Sequence, residues 1–409
     1  MNKAIAATIA CAMCMALGQA ALFVGTFPIF LPAVSKEFGW GAGVFPQALL
    51  TMGAANVLAS FFGGGLIDRF GVRWLVLLSL IGWAATLFAM SQLNGSQSQL
   101  LIVAALMGVV TCFSGPIALA KVVAGWFDRH RGLALALSLG TAPAIGTASM
   151  LIMSNAVIET HGWRFAYQVL AALVVVITIP LAALFMREAP SAMPGHPGMG
   201  KASDDGTVKQ ALLSLNFWMI VLVTTLVCTV ANAVTAHFVA WSAERGITQT
   251  AATFALSAYS LASPIGTIAS GAMADRAQGP KPLAIFYGLP LIGLGLLLLV
   301  GPMALIPAMI FMGAGFGAAS GLLPFLVTRY FGVKHAAQLI GIGIGLFVLL
   351  LGIGPVVLGL VHDRFQSFAP ATPVLLILLV LAVVACLSLR RYSVTTPAPG
   401  LFNKPADAA

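Results

Sequence analysis

Apolar runs of about 20 residues or more, long enough to cross a bilayer, alternate along this chain with short clusters of charge, glycine and proline. Breaking the sequence at those clusters predicts twelve spanning helices, approximately Ala4–Leu31, Val44–Ile67, Trp74–Leu93, Gln99–Gly125, Leu133–Val157, Phe165–Met186, Phe217–Ala240, Ala251–Ala274, Leu283–Gly301, Leu305–Thr328, Gln338–Val361 and Thr372–Leu389. The run after Met1-Asn2-Lys3 is too long for a signal core and counts as the first span. The longest polar segment, 187–214, holds Pro194-Gly195-His196-Pro197, Asp204, Asp205 and Lys209. It reads as a cytoplasmic linker between an amino-terminal bundle (1–186) and a carboxy-terminal bundle with a short cytoplasmic tail (215–409). Within it, Thr207 to Leu213 has the pattern of a short amphipathic helix lying on the membrane surface.

Charge adds an orientation. Lys and Arg accumulate in cytoplasmic loops, and with the amino terminus inside, that side takes most of the 20 basic residues. The opposite side keeps only Lys36, Arg164, Arg245 and Arg364. Both termini are therefore expected in the cytoplasm, in a multi-pass protein of the cytoplasmic (inner) membrane. The net charge of +9 follows from this topology and calls for no nucleic-acid partner. Cys11, Cys14, Cys112, Cys228 and Cys386 all fall within spans, where they act as small hydrophobes. The Cys-x-x-Cys spacing of the first two lacks a redox-domain pattern. No cofactor or metal site is expected.

The two halves echo each other. Gly64-Gly65-Leu66-Ile67-Asp68-Arg69-Phe70-Gly71-Val72-Arg73 follows the second span, and Gly271-Ala272-Met273-Ala274-Asp275-Arg276-Ala277-Gln278-Gly279-Pro280-Lys281 follows the eighth. A second echo pairs Trp126-Phe127 and Arg131 with Tyr330-Phe331 and His335. Matched six-helix halves are a transporter architecture. The Gly64 to Arg73 segment, with twelve spans and a central loop, resembles the signature of the major facilitator superfamily across the whole chain. The Trp126 to Ala134 run, Gly140, Gly146 and Gly162-Trp163-Arg164 resemble the branch of oxalate/formate exchangers and monocarboxylate transporters.

The resemblance implies that the loop acids close the cytoplasmic side by docking on helix amino termini of the opposite half. Asp68 would sit near Ala336 to Gln338, and Asp275 near Gly132 and Leu133. A carboxylate there meets the positive end of a helix dipole, worth roughly 0.3–2 kcal/mol. Arg69, Gly71, Arg73, Arg131 and Arg276 complete the expected gate, although for the basic residues a purely topological role accounts for the pattern equally well.

Lys121 carries the most chemistry. It stands inside the fourth span, where a charge costs at least a few kcal/mol unless it faces water or a partner. It either faces a polar cavity or snorkels to the headgroups on its flexible stem, and the sequence leaves both open. No carboxylate falls at the middle of a span, which weighs against a cation or basic-drug exchanger and favours an anionic or neutral cargo. Other polar candidates near the midplane are Gln19, Asn56, Asn232, Tyr259 and Ser263, with His237 nearer the end of the seventh span. The resemblance places helices 1, 4, 7 and 10 around the central pocket, and so Gln19, Lys121, Asn232 and His237 at it. A lone Asn or Gln in a bundle more often bonds a neighbouring backbone. The eighth span contains no Arg, where carboxylate carriers of the resembled branch usually carry one, so Lys121 is the deep cation left to meet an anion.

The expected function is secondary active transport of a small organic acid by alternating access, with protons as candidate co-substrate and the bilayer as environment. The alternative is efflux of a neutral or amphipathic compound. A non-transporting membrane sensor is disfavoured by gating loops in both halves. An enzyme is disfavoured because no nucleophile-base or metal cluster lies in the spans.

Overall fold

A computed structural model describes residues 3–126, 134–186, 208–277, 279–331 and 336–389. The predicted linker and the loop holding Arg131 lie largely or wholly outside these residues, as do the side chains of Asp68, Arg69 and Lys121. The protein is all-helical, with twelve passes in two pseudo-symmetric six-helix bundles. Pass α1 is built of Lys3–Ala16, a π-helical turn Ala20–Gly25 and Phe27–Phe38; α2 is Gln47–Phe70; α3 is Val72–Ser91. Pass α4 joins Gln97–Thr111, a 3₁₀ turn Cys112–Ser114 and Pro116–Trp126. The helix Ala142–Leu173 contains two passes, because Gly162 (φ 83°) turns the chain inside it. Pass α5 thus comprises Ala136–Thr141 and 142–161, and α6 comprises 163–173, Val174–Thr178 and Ile179–Phe185. A short helix, Val208–Leu213, fits the expected surface element and precedes α7, Leu215–Ala236 with Phe238–Ala243. The remaining passes are α8, Gln249–Arg276; α9, Ala284–Leu299; α10, Leu305–Phe331; α11, Ala336–Phe365; and α12, Thr372–Ser388.

These helices bury apolar residues on one face and expose equally apolar residues on the other. On α3, Val76, Leu80 and Trp83 are buried while Trp74, Leu78 and Ile81 are exposed. A helix in water would carry charge on that second face, so the outer surface is suited to hydrocarbon. Two tight reversals depend on backbone freedom that only glycine has without strain. Gly71 (φ 78°) turns α2 into α3, and Gly162 turns α5 into α6.

The α8 and α10 passes meet backbone to backbone. A Cβ on Gly313 would lie 2.1 Å from the Tyr259 carbonyl oxygen, and one on Gly317 would lie 1.9 Å from that of Ser263. In lipid no hydrophobic force drives helices together, and small residues secure van der Waals contact instead. The bundles meet through α2 against α11 and α5 against α8. Gly53 faces Val348, Gly352 faces Leu50, and Ser257 Oγ lies 3.3 Å from the Ala148 carbonyl oxygen.

The helix boundaries agree with the predicted spans to within a few residues except in α1, whose helix continues to Phe38 past a π-helical turn. Gly317→Val should overpack the α8–α10 contact at a cost of about 1–3 kcal/mol. Thermal unfolding followed by size-exclusion chromatography in detergent should show a lower midpoint, whereas Gly295→Val, on α9 with nothing near its Cβ, should leave it unchanged.

Candidate functional site

Two passes of the amino-terminal bundle are broken about halfway along. In α1 the helical ladder lapses at Leu17-Gly18, next to Gln19, and the carbonyl of Leu17 accepts from Trp83 Nε1 at 3.3 Å. In α4 it lapses at Cys112 to Gly115. There Asn56 Nδ2 of α2 donates to the Gly108 carbonyl at 3.0 Å, and Ser79 Oγ of α3 donates to that of Val110. Lys121 stands between one and two turns past Pro116, on the segment Pro116–Trp126, which packs on the first segment of α1. Broken helices at mid-membrane are where transporters expose backbone and side-chain polarity to cargo.

The carboxy-terminal bundle treats its polar residues differently. Pro355 lacks an N–H and so deprives the Leu351 carbonyl, four residues earlier, of its helical donor. Asn232 Nδ2 of α7 supplies that bond at 2.9 Å. One turn away, His237 Nε2 lies 2.8 Å from the Pro355 carbonyl oxygen, which fixes the proton on Nε2, and the ring is buried.

The seven cargo-site candidates therefore divide by occupation of their polar groups. Asn56, Asn232 and His237 are committed to neighbouring backbone. Gln19, Tyr259 and Ser263 are half-buried, and among the described residues their side chains have no hydrogen-bond partner. Tyr259 lies near Phe316 of α10, ring centroids 5.9 Å apart. A cavity of about 760 Å³ lies elsewhere, between α7, α11 and α12, lined by residues such as Val221, Thr225, Gly354, Leu358 and Leu375. Its rim is exposed and apolar at Leu222, Leu350 and Val374, and none of the candidates lines it.

Of the expected gate residues, Gly71 forms the α2–α3 turn, and Arg73 Nη2 donates to the Ala183 carbonyl, tying α3 to α6. Asp275 and Arg276 are exposed at the end of α8.

The sequence reading missed a set of polar contacts at the opposite, base-poor end of the bundles. Asp363 at the end of α11 accepts from the backbone N–H groups of Ala42 and Gly43. His362 Nε2 lies 3.1 Å from Glu244 Oε1. Gln249 Nε2 of α8 donates to Asn155 Oδ1 of α5 at 2.8 Å, and Asn155 Nδ2 donates to Glu159 Oε1. Within the first bundle, Glu37 accepts from Trp163 Nε1 and Arg164, which also binds the Leu93 carbonyl. Acids and amides within a turn of several helix ends were the available signal; their pairing across the bundles was not.

The Major Facilitator Superfamily profile matches residues 8–355. The uncharacterized MFS-type transporter YhjX of Escherichia coli (strain K12) is 23% identical over 81% of this chain and 82% of its own length. Monocarboxylate transporter 11 of Homo sapiens is 26% identical over 77% and 68%, respectively. Among solved structures, the nucleoside transporter NupG superposes with a TM-score of 0.74 over 95% of this chain and all of its own, at 14% identity.

If Asn232 satisfies the carbonyl that Pro355 frees, Asn232→Leu should cost about 0.6–1.7 kcal/mol, the range for interhelical hydrogen bonds in membranes. Pro355→Ala restores an N–H, so the same substitution should cost clearly less in that background. A double-mutant cycle on unfolding midpoints checks this; equal costs in both backgrounds would refute the pairing.

Proposed function

The chain belongs to the Major Facilitator Superfamily and is a membrane transporter rather than an enzyme, and on that premise we propose that its cargo is a small organic acid, moved across the cytoplasmic membrane by alternating access. The observation that carries this reading is the position of Lys121, just past the break in α4 and on the segment that packs against the broken α1. In this reading Lys121 faces the pathway and meets the cargo carboxylate. Gln19, at the α1 break, and the hydroxyls of Tyr259 and Ser263 orient the rest of the molecule. Their free hydrogen-bonding capacity supports that assignment. The monocarboxylate transporter among the relatives supports the cargo class.

Proton coupling, where present, then runs through the carboxyl group of the cargo. His237 is buried against the α11 backbone and is a poor carrier, and the chain has no acid at mid-span. The excess of bases at one end of the bundles supports termini on the cytoplasmic side. There, Asp68, Arg69, Arg131, Asp275 and Arg276 form the gate on that side, with Gly71 and Arg73 shaping its first loop.

Counterflow of labelled organic acids in proteoliposomes, with and without a pH gradient, tests the proposal. Lys121→Gln should lower uptake at least tenfold, about 1.4 kcal/mol of binding or transition-state stabilisation, while the protein stays monodisperse. Lys121→Arg should retain part. Unchanged affinity in Lys121→Gln, or counterflow of neutral compounds alone, would overturn the reading in favour of efflux of an uncharged compound.

A second outcome concerns the proton. Uptake should remain pH-dependent in His237→Gln, and its profile should follow the cargo pKa across a series of acids. A profile that ignores the cargo and disappears with His237 would place the proton on the protein instead.

A further inference from the structure

The base-poor junction between the bundles is built around one carboxylate. Asp363 Oδ1 lies 2.5 Å from the Ala42 backbone nitrogen, and Oδ2 lies 2.9 Å from that of Gly43. Two consecutive N–H groups gripping one carboxylate form a charge-assisted pair, stronger than neutral hydrogen bonds. The contact links residues 320 positions apart, from the α1–α2 connection of one bundle to the end of α11 in the other.

The surrounding residues leave room for this grip and for little else. A Cβ on Gly41 would fall 2.5 Å from Asp363 Oδ2 and 2.9 Å from its Cγ. A Cβ on Gly359 would fall 2.5 Å from the Ala42 carbonyl oxygen, and one on Gly43 would fall 3.0 Å from Leu360 Cδ2. Gly41 has no positive φ, so alanine fits its backbone, and the atoms its Cβ meets first are those of the carboxylate. Next to Asp363, His362 lies tilted against Phe368, with centroids 4.4 Å apart, and pairs with Glu244, the residue just past the end of α7. These contacts fix the end of α11 that presents the carboxylate.

We propose that Asp363 is the latch that holds the base-poor face of the transporter shut, and that Gly41 is the socket in the opposite bundle that admits it. Opening this face requires both N–H bonds to break at once, because they share one rigid carboxylate. His362 and Glu244 are positioning residues for the latch. The inference rests on alternating access by the family fold. It needs no statement about cargo, so failure of the organic-acid reading would leave it untouched.

Accessibility of Leu50 tests the latch, because Leu50 packs on Gly352 along the α2–α11 contact. Leu50→Cys would be placed in a chain whose five native cysteines are replaced, in sealed vesicles. A membrane-impermeant maleimide is then added to one face at a time. Asp363→Asn and Gly41→Ala, one from each bundle, should each raise labelling at least tenfold from the face that carries Lys36 and Arg364. Labelling from the other face should not rise. The double variant should label no faster than the faster single variant, since both remove the same contact.

Parent-like labelling in either monodisperse variant would overturn the proposal. So would a rise from both faces, which reports general loosening of the fold. If Asp363→Asn is not recovered as monodisperse protein, Gly41→Ala keeps the carboxylate in the chain and decides the question alone.

Discussion

A membrane interior offers no water to a backbone carbonyl, so every lapse in a helical ladder must be repaired from within the bundle. This constraint organises the protein. Trp83 serves the Leu17 carbonyl at the break in α1, Asn56 and Ser79 serve those around the break in α4, and Asn232 and His237 serve the Pro355 region of α11. Each repair comes from a different helix, so the same bonds that permit irregular backbone also fix which helices travel together. The α7 and α11 passes are joined by two such bonds. The contacts between bundles are left for small and aliphatic residues and a few polar groups such as Asn155, Ser257 and Asp363.

That division suits a machine that alternates between two states. Within a bundle, α8 and α10 touch backbone to backbone over several turns and resist shear. Between bundles, α2 meets α11 through glycine and aliphatic surface and is held at its end by a single carboxylate. Contacts that must re-form repeatedly run along helix faces and end in a charge-assisted grip. Contacts that must persist are dry and continuous.

Much of the architecture was legible in the sequence, because span length and basic-residue placement answer to the bilayer. The first helix runs on to Phe38, past the predicted Ala4–Leu31, across a π-helical turn that hydropathy does not register. The polar candidates were harder to sort. Asn232 looks in sequence like Gln19, a lone amide in an apolar run, yet one amide repairs a carbonyl freed by a proline 123 residues later and the other has no partner among the described residues. Only the packing of α7 on α11 separates them. The Asp363 contact was invisible for the same reason: its acceptor and its donors belong to different halves, and backbone N–H groups leave no mark in a sequence.

The two halves repeat one plan, but α4 is broken at Cys112 to Gly115 while its counterpart α10 runs unbroken from Leu305 to Phe331. A two-fold axis along the membrane normal relates such halves, and a break in only one of them means that bending the first bundle and bending the second no longer cost the same. Whatever bending accompanies the exchange of faces then falls chiefly on the first bundle, at a point the covalent chain has already chosen.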